Sequence, residues 1–167
     1  GIMGLGRIGH AIAFRLSGFK MDIHYYSRSE KESAKEWKFY EDPVSLAAEV
    51  DFLFIALVGG QETSEFVSKE VIEALGVDGI LINISRGSTV DEKALLSALE
   101  KKQIRGAALD VFTGEPNINP RFLELDNVFL QPHQGSGTIE TREAMAKLQR
   151  DNLSRFFANK TLLTPVN

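Results

Sequence analysis

Gly4-Leu5-Gly6-Arg7-Ile8-Gly9, preceded only by Gly1-Ile2-Met3, is the stretch whose reading decides the fold. A Gly-x-Gly-x-x-Gly at such a place sets a tight turn between a strand and a helix. Bare Cα atoms let the backbone approach a pyrophosphate closely, and the phosphate rests on the positive N-terminus of the helix. Gly4, Gly6 and Gly9 are therefore read as dinucleotide-binding positions. A carboxylate that reads the adenine ribose is expected about 20 residues further on. The chain there runs Tyr25-Tyr26-Ser27-Arg28-Ser29. A carboxylate would repel a 2′-phosphate, whereas two hydroxyls and a guanidinium attract one. The expected cofactor is NADPH in preference to NADH, with Ser27, Arg28 and Ser29 at its 2′-phosphate.

Outward from this motif the chain alternates between strand and helix patterns. Arg7 to Ser17 has apolar residues at Ile8, Ile12 and Leu16, a helical spacing closed by Gly18. Met21 to Tyr26 reads as a strand, and Ser27 to Trp37 as a loop or weak helix. Asp42-Pro43 opens a helix running to about Val50, with Asp as cap and Pro in the first turn. Phe52 to Val58 is continuously apolar, as in a strand covered on both faces. Thr63 or Ser64 is expected to cap a helix ending at Leu75 before Gly76. Ile80 to Ile84 is a further buried strand, Asp91 to Lys102 an amphipathic helix, and Arg105 to Leu109 another strand. The pattern loosens from Thr113 to Pro120, then gives a short strand, Val128 to Leu130, and a long helix from Thr138 to about Asn159.

This alternation predicts an α/β fold, a Rossmann-type doubly wound parallel sheet. Residues 1–137 form the expected nucleotide-binding domain. Residues 138–167 form a C-terminal helix and tail. Only Gly1 to Met3 precede the turn, so the expectation is a C-terminal portion of a longer protein with its first strand truncated. A net charge of −4 and a pI near 5.4 argue against a nucleic-acid partner. With no cysteine, disulfides and thiolate metal sites are excluded, and no metal is expected. No signal peptide or membrane-length apolar run is present, which gives an expected cytoplasmic location.

In open α/β sheets ligands collect beyond the carboxyl ends of the strands. Three polar clusters follow strand ends: Ser85-Arg86-Gly87, then Asp110 with Glu115 beyond it, and Gln131-Pro132-His133-Gln134-Gly135-Ser136-Gly137. Arginine, carboxylate and histidine at one mouth suit carbonyl reduction beside a nicotinamide. Hydride delivered to a ketone leaves an alkoxide that needs a proton, and imidazoles titrate near neutral pH. A carboxylate paired with the ring favours its protonated form, and a guanidinium forks onto a substrate carboxylate. His10 and His24 are read as structural, Asp91 and Glu92 as a helix start. Trp37 with the Lys31 to Lys38 charges is read as surface, and the Phe52 to Val58 stripe as core.

Four ordered blocks carry a resemblance over nearly the whole chain: Gly4 to Gly9, Asn83 to Asp91, Gly106 to Pro116 and Pro132 to Thr138. They resemble the nucleotide-binding domain of the D-isomer-specific 2-hydroxyacid dehydrogenases, most of all its NADPH-preferring glyoxylate/hydroxypyruvate and hydroxyphenylpyruvate reductases. The resemblance implies that Arg86 binds a small 2-oxo acid, that His133 is the acid/base, and that Glu115 is its partner. It implies that Arg7 and Ile8 present amides to the pyrophosphate. Asp110 and the backbone near Ile84 would hold the nicotinamide carboxamide, with Thr63 and Gly135 also at the cofactor. A homodimer is implied too, and so is an N-terminal substrate domain, absent here, toward which the helix and tail of residues 138–167 are expected to pack back. Where the family usually has Leu-Thr-Pro-x-Thr, this chain has Leu57-Val58-Gly59-Gly60-Gln61-Glu62-Thr63, whose glycines should loosen the loop. Gln134 is bulkier than the residue common beside the histidine. The competing readings are a phosphite- or formate-type dehydrogenase and a nucleotide-binding corepressor or scaffold.

Overall fold

The computed structural model describes residues 1–165; Val166 and Asn167, the end of the tail expected to pack back, lie outside the described residues. The chain divides into two compact units, Gly1–Pro132 and His133–Asn167.

In the first unit, chain order is β1 (Ile2–Met3), α1 (Arg7–Ser17), β2 (His24–Tyr26), β3 (Lys38–Tyr40), α2 (Pro43–Ala47), β4 (Phe52–Ile55), α3 (Lys69–Leu75), β5 (Ile80–Asn83), α4 (Glu92–Glu100), β6 (Gly106–Leu109) and β7 (Val128–Leu130). The seven strands form one sheet in the order β3-β2-β1-β4-β5-β6-β7, with every pairing parallel. The chain moves outward from β1 to β3, returns to β4, and moves outward again on the other side. Strand order thus reverses between β1 and β4, where a doubly wound sheet opens a crevice. The glycine turn follows β1 and lies at this reversal.

Successive side chains of β1 face opposite sides of the sheet, so this short strand joins both cores. Ile2 packs with Leu5, Ala13, Ile23, Tyr25, Ala34 and Trp37 under α1. Met3 belongs to the larger cluster, which holds Leu46 of α2, Val71 and Ile72 of α3, and Leu95, Leu96 and Leu99 of α4. Helices therefore cover both faces, and the expected Rossmann-type α/β architecture is the one observed.

Several element boundaries differ from the sequence reading. The Met21 to Tyr26 strand shortens to β2, because Met21 and Asp22 are exposed. Strand β3 adds an edge within a polar neighbourhood that carried no strand pattern. Trp37, read as surface, is only 8% exposed: its ring fills the gap beside α1, 5.0 Å from His10. The Phe52 to Val58 run is a strand only as far as Ile55; Phe52 is 39% and Val58 85% exposed, so both ends of that stripe leave the core. The helix ending at Leu75 starts at Lys69 behind Ser68, not at Thr63 or Ser64. Gln61 to Thr63 forms a single 3₁₀ turn instead, as does Pro120–Glu124, which the sequence reading missed. Helix α2 stops at Ala47, short of Val50. Asp91 does cap α4, accepting a hydrogen bond from the Ala94 amide at 2.9 Å.

The second unit is α5 (Ile139–Phe157) with its tail. Thr138 caps it by accepting from the Thr141 amide at 3.2 Å. Asn152 turns the tail back along the helix: its Oδ1 accepts from the Leu163 amide at 2.9 Å, and its Nδ2 donates to Thr164 Oγ1 at 3.1 Å. No described helix is long and apolar enough to cross a membrane.

Candidate functional site

Each glycine of the opening motif has a distinct geometric reason. Gly4 has φ +99°, and a Cβ there would lie 2.8 Å from the carbonyl oxygen of Ala56. At Gly9 a Cβ would meet the Gly4 carbonyl oxygen at 2.1 Å, so only glycine lets α1 press this closely on the turn. Gly6 is different: nothing stands within 4 Å of an added Cβ, and its bare Cα faces open space. Gly6 is also the N-cap of α1 and offers no side-chain acceptor to the first-turn amides, and no acidic residue stands in that turn. The first amides of a helix have no intrahelical partner, so the Arg7 and Ile8 N–H groups are disposed toward an anion at an uncrowded helix end. These residues fit a dinucleotide pyrophosphate.

The next strand end carries the cationic rim. The Gly4 amide donates to the Tyr26 carbonyl at 2.9 Å, which fastens the end of β2 to the glycine turn. Ser27, Arg28 and Ser29 follow at once. Arg28 and Ser29 are exposed, while the Ser27 hydroxyl donates to the Ser29 carbonyl at 2.6 Å and tightens the loop. Buried Tyr25 anchors the far side by accepting from the Lys31 amide at 3.0 Å. No carboxylate stands between Tyr25 and Ser29; the first one on the loop is Glu30.

Beyond β5 lies the most tightly held polar turn of the unit. The three buried polar residues among those described, Asn83, Ser85 and Thr89, all flank Arg86. Asn83 Nδ2 and Thr89 Oγ1 both donate to the Arg86 carbonyl, at 3.0 and 2.7 Å. Asn83 Oδ1 accepts from the Ser85 amide at 3.0 Å, and Ser85 Oγ donates to the Leu57 carbonyl at 2.5 Å beyond β4. Against this fixed backbone the Arg86 side chain is exposed, with Nη1 donating to the Ser85 carbonyl at 2.6 Å. Ile84, half-buried, donates its amide to the Ile55 carbonyl at 3.3 Å.

Gly87 joins this turn to the loop after β6. A Cβ there would lie 2.0 Å from the carbonyl carbon of Phe112, so the two backbones touch. In that loop Glu115 Oε1 accepts from the Phe112 amide at 2.8 Å. Asp110 is fastened to the same strand end, its amide donating to the Asn83 carbonyl at 3.0 Å. The first unit thus brings Arg86, Asp110 and the Glu115 loop to one edge of the sheet. Thr63 also lies beyond a strand of this edge, and its hydroxyl donates to the Val58 carbonyl at 2.6 Å. That contact closes the loop that the two glycines were expected to loosen. His133, Gln134 and Gly135 open the second unit, and His133 adopts the left-handed backbone conformation at φ +52°.

Residues 1–135 match the family described as D-isomer specific 2-hydroxyacid dehydrogenase, NAD binding domain. The chain belongs to the D-isomer specific 2-hydroxyacid dehydrogenase family. It is 51% identical over 166 residues to 2-ketogluconate reductase of Gluconobacter oxydans, covering 99% of this chain and 53% of that protein. It is 49% identical over 166 residues to glyoxylate/hydroxypyruvate reductase A of Arabidopsis thaliana, with the same two coverages. Among solved structures it resembles the NADPH-dependent glyoxylate/hydroxypyruvate reductase of Sinorhizobium meliloti in complex with NADP and malonate. That likeness has a TM-score of 0.96 at 44% identity, covering 99% of this chain and 51% of the other. The chain spans about half the length of the family members it matches.

Within this family frame, two residues beside Arg86 were quoted in sequence but given no role there. Asn83 ends an otherwise apolar strand, Ile80-Leu81-Ile82-Asn83, and that one polar residue at a buried strand end was the available signal. Gly59 lies across from the Arg86 side chain, where a Cβ would meet Cγ at 2.5 Å. Its only mark in sequence is the Gly59-Gly60 pair.

Proposed function

We propose that this chain is the nucleotide-binding half of an NADPH-dependent reductase that converts small 2-oxo acids of the glyoxylate/hydroxypyruvate type into D-2-hydroxy acids. The observation that carries the reading is the Arg86 turn. An exposed guanidinium stands on a backbone fixed by three buried polar side chains, at the carboxyl edge of the sheet that also bears the glycine turn. Relatives of similar length coverage are glyoxylate/hydroxypyruvate reductases, and one solved relative was captured with NADP.

In this mechanism NADPH, when bound, supplies hydride to the carbonyl carbon of the substrate. Arg7 and Ile8 offer backbone amides to its pyrophosphate, with Gly4, Gly6 and Gly9 leaving the space. Arg28 neutralises the 2′-phosphate, and Ser27 and Ser29 add hydroxyls once Ser27 turns its proton away from the Ser29 carbonyl. Thr63, Ile84, Asp110 and Gly135 orient the rest of the cofactor. Arg86 forks onto the substrate carboxylate and draws electron density toward the ketone oxygen, so that negative charge develops there at lower cost. The His133 imidazolium gives its proton to that oxygen as hydride arrives at the carbon. Glu115 is the partner that fixes the orientation of the ring.

Three further properties belong to this reading. The helix and tail of residues 138–167 pack against the half of the protein not contained here, consistent with the apolar side chains that α5 exposes, Met145, Leu148, Leu153 and Phe156 among them. The protein is a homodimer, supported by the exposed Ile8, Phe14 and Phe19 on and beside α1. It works in the cytoplasm.

The test is NADPH oxidation by the complete product of the gene that encodes this chain, with glyoxylate, hydroxypyruvate, hydroxyphenylpyruvate and 2-ketogluconate. Turnover of at least one, with product of D configuration, is expected. NADPH binding without oxidation by any of the four would replace the reductase with a nucleotide-binding scaffold. Light scattering at micromolar concentration reads the dimer.

A further inference from the structure

We infer that Asn83 is a positioning residue, which acts through Arg86 to set where the guanidinium meets the substrate carboxylate; the inference rests on the reductase reading above. Asn83 is 2% exposed, so its side chain is turned inward and not offered to a substrate. Both ends of its amide are engaged on the turn. Oδ1 accepts from the Ser85 amide and Nδ2 donates to the Arg86 carbonyl, and the two bonds bracket the peptide that carries Arg86. Its own carbonyl accepts from the Asp110 amide at 3.0 Å. One side chain and its backbone therefore tie the Arg86 turn to the neighbouring strand end.

The bracket is doubled. Thr89 Oγ1 and the Thr89 amide also donate to the Arg86 carbonyl, at 2.7 and 3.1 Å. Three donors on one carbonyl oxygen hold the peptide plane against rotation, while the Arg86 side chain itself keeps only a bond to the preceding carbonyl. A turn built this way fixes the base of a long, exposed side chain, whose guanidinium bonds only to the adjacent Ser85 carbonyl and would exchange that bond for a ligand. Burial makes the bracket costly to break, because each polar atom released would lack water.

The experiment compares Asn83→Asp, Thr89→Val and Thr89→Ser in the complete gene product, with Arg86→Ala alongside. An ionised carboxylate at 83 still accepts from Ser85 but cannot donate to the Arg86 carbonyl, whereas a protonated one can. Relative to the parent at the same pH, Asn83→Asp is expected to lose about 10- to 100-fold in kcat/KM for the 2-oxo acid at pH 8. That loss should shrink as the pH falls to 6. The Kd for NADPH should stay within about threefold, since the pyrophosphate sits on α1. Thr89→Val should raise KM, and Thr89→Ser, which restores the hydroxyl, should return it.

Hydrogen exchange at the amides of residues 84–90 supplies a readout independent of turnover and should speed up in Asn83→Asp. A pH-independent loss that lowers NADPH affinity equally would overturn the inference and leave Asn83 a general strand-end residue. So would unchanged KM in Asn83→Asp and in Thr89→Val. If Asn83→Asp does not fold, the Thr89 pair decides by the same criterion. Should the parent protein reduce no 2-oxo acid, the reductase reading falls, and the exchange measurement alone then decides whether Asn83 holds the Arg86 turn.

Discussion

The backbone of Gly59 lies directly against the side chain of Arg86: a Cβ at position 59 would come within 2.5 Å of Arg86 Cγ and 3.3 Å of its Cβ. The obstructing atom is near the root of the arginine, so a methyl group could not be accommodated by moving the guanidinium alone. The whole side chain would have to leave its present course. Gly59→Ala is therefore expected to raise KM for the 2-oxo acid about tenfold, an effect of roughly 1.4 kcal/mol, within the range for coupled neighbouring residues. Gly59 is exposed, so the melting temperature should change little. In an Arg86→Ala background the same substitution should have no further effect. Full additivity of the two changes would show that Gly59 acts independently of Arg86.

The cofactor rim gives a second expectation. Arg28 is the one cation between the end of β2 and Ser29, with no carboxylate beside it. A charge-assisted contact to a phosphate is worth about 1.5–3 kcal/mol. Replacing Ser27 with Asp and Arg28 with Ala should thus lower the NADPH/NADH preference by roughly 10- to 100-fold, measured as the ratio of kcat/KM values. An unchanged ratio would place the source of cofactor preference elsewhere.

For His133 the expected signature is a separation of chemistry from binding. His133→Ala should lower kcat/KM by about 10²- to 10⁴-fold, the usual worth of a general acid. NADPH affinity, read by fluorescence titration, should remain near the parent value. His133 holds φ +52°, a conformation in which alanine carries some strain. His133→Asn, which tolerates that backbone better, controls for it, and should lose activity to the same degree. Parallel loss of binding and turnover in both variants would make the histidine structural.

What sequence could and could not reveal follows from how each feature acts. The glycine turn was legible because its geometry excludes Cβ atoms at Gly4 and Gly9, leaving a mark in residue type itself. The parallel order was legible because both-sided burial makes β4 and β5 apolar. Strand β3 was not, since a three-residue edge strand beginning at exposed Lys38 carries no usable periodicity. Trp37 was misjudged because its flanking charges are solvated while its own ring is buried beside His10. Thr63 passed for a helix cap because a hydroxyl bonding back to the Val58 and Gly60 carbonyls looks the same in sequence as one bonding forward to amides. Asn83 was quoted within a motif without a role, since only coordinates show both ends of its amide closing on the Arg86 turn.

His24 gives the pH dependence of stability a definite sign. Partial burial and then the nearby Lys38 ammonium lower its pKa below the ordinary 6.5, and Tyr40 Oη lies 3.4 Å from Nδ1. The unfolded chain, with an unperturbed imidazole, therefore binds a proton more readily than the folded one. Stability rises with pH wherever the unfolded state holds more protons. The contribution of His24 is complete above pH 6.5 and is lost as the pH falls from there through the lowered folded pKa. Urea midpoints should thus decline between pH 7.5 and 5.5, and the decline should be shallower in His24→Gln, which has no titrating ring. An equal slope in the two proteins would show that His24 meets the same electrostatic environment folded and unfolded, and that the pH dependence originates with other groups.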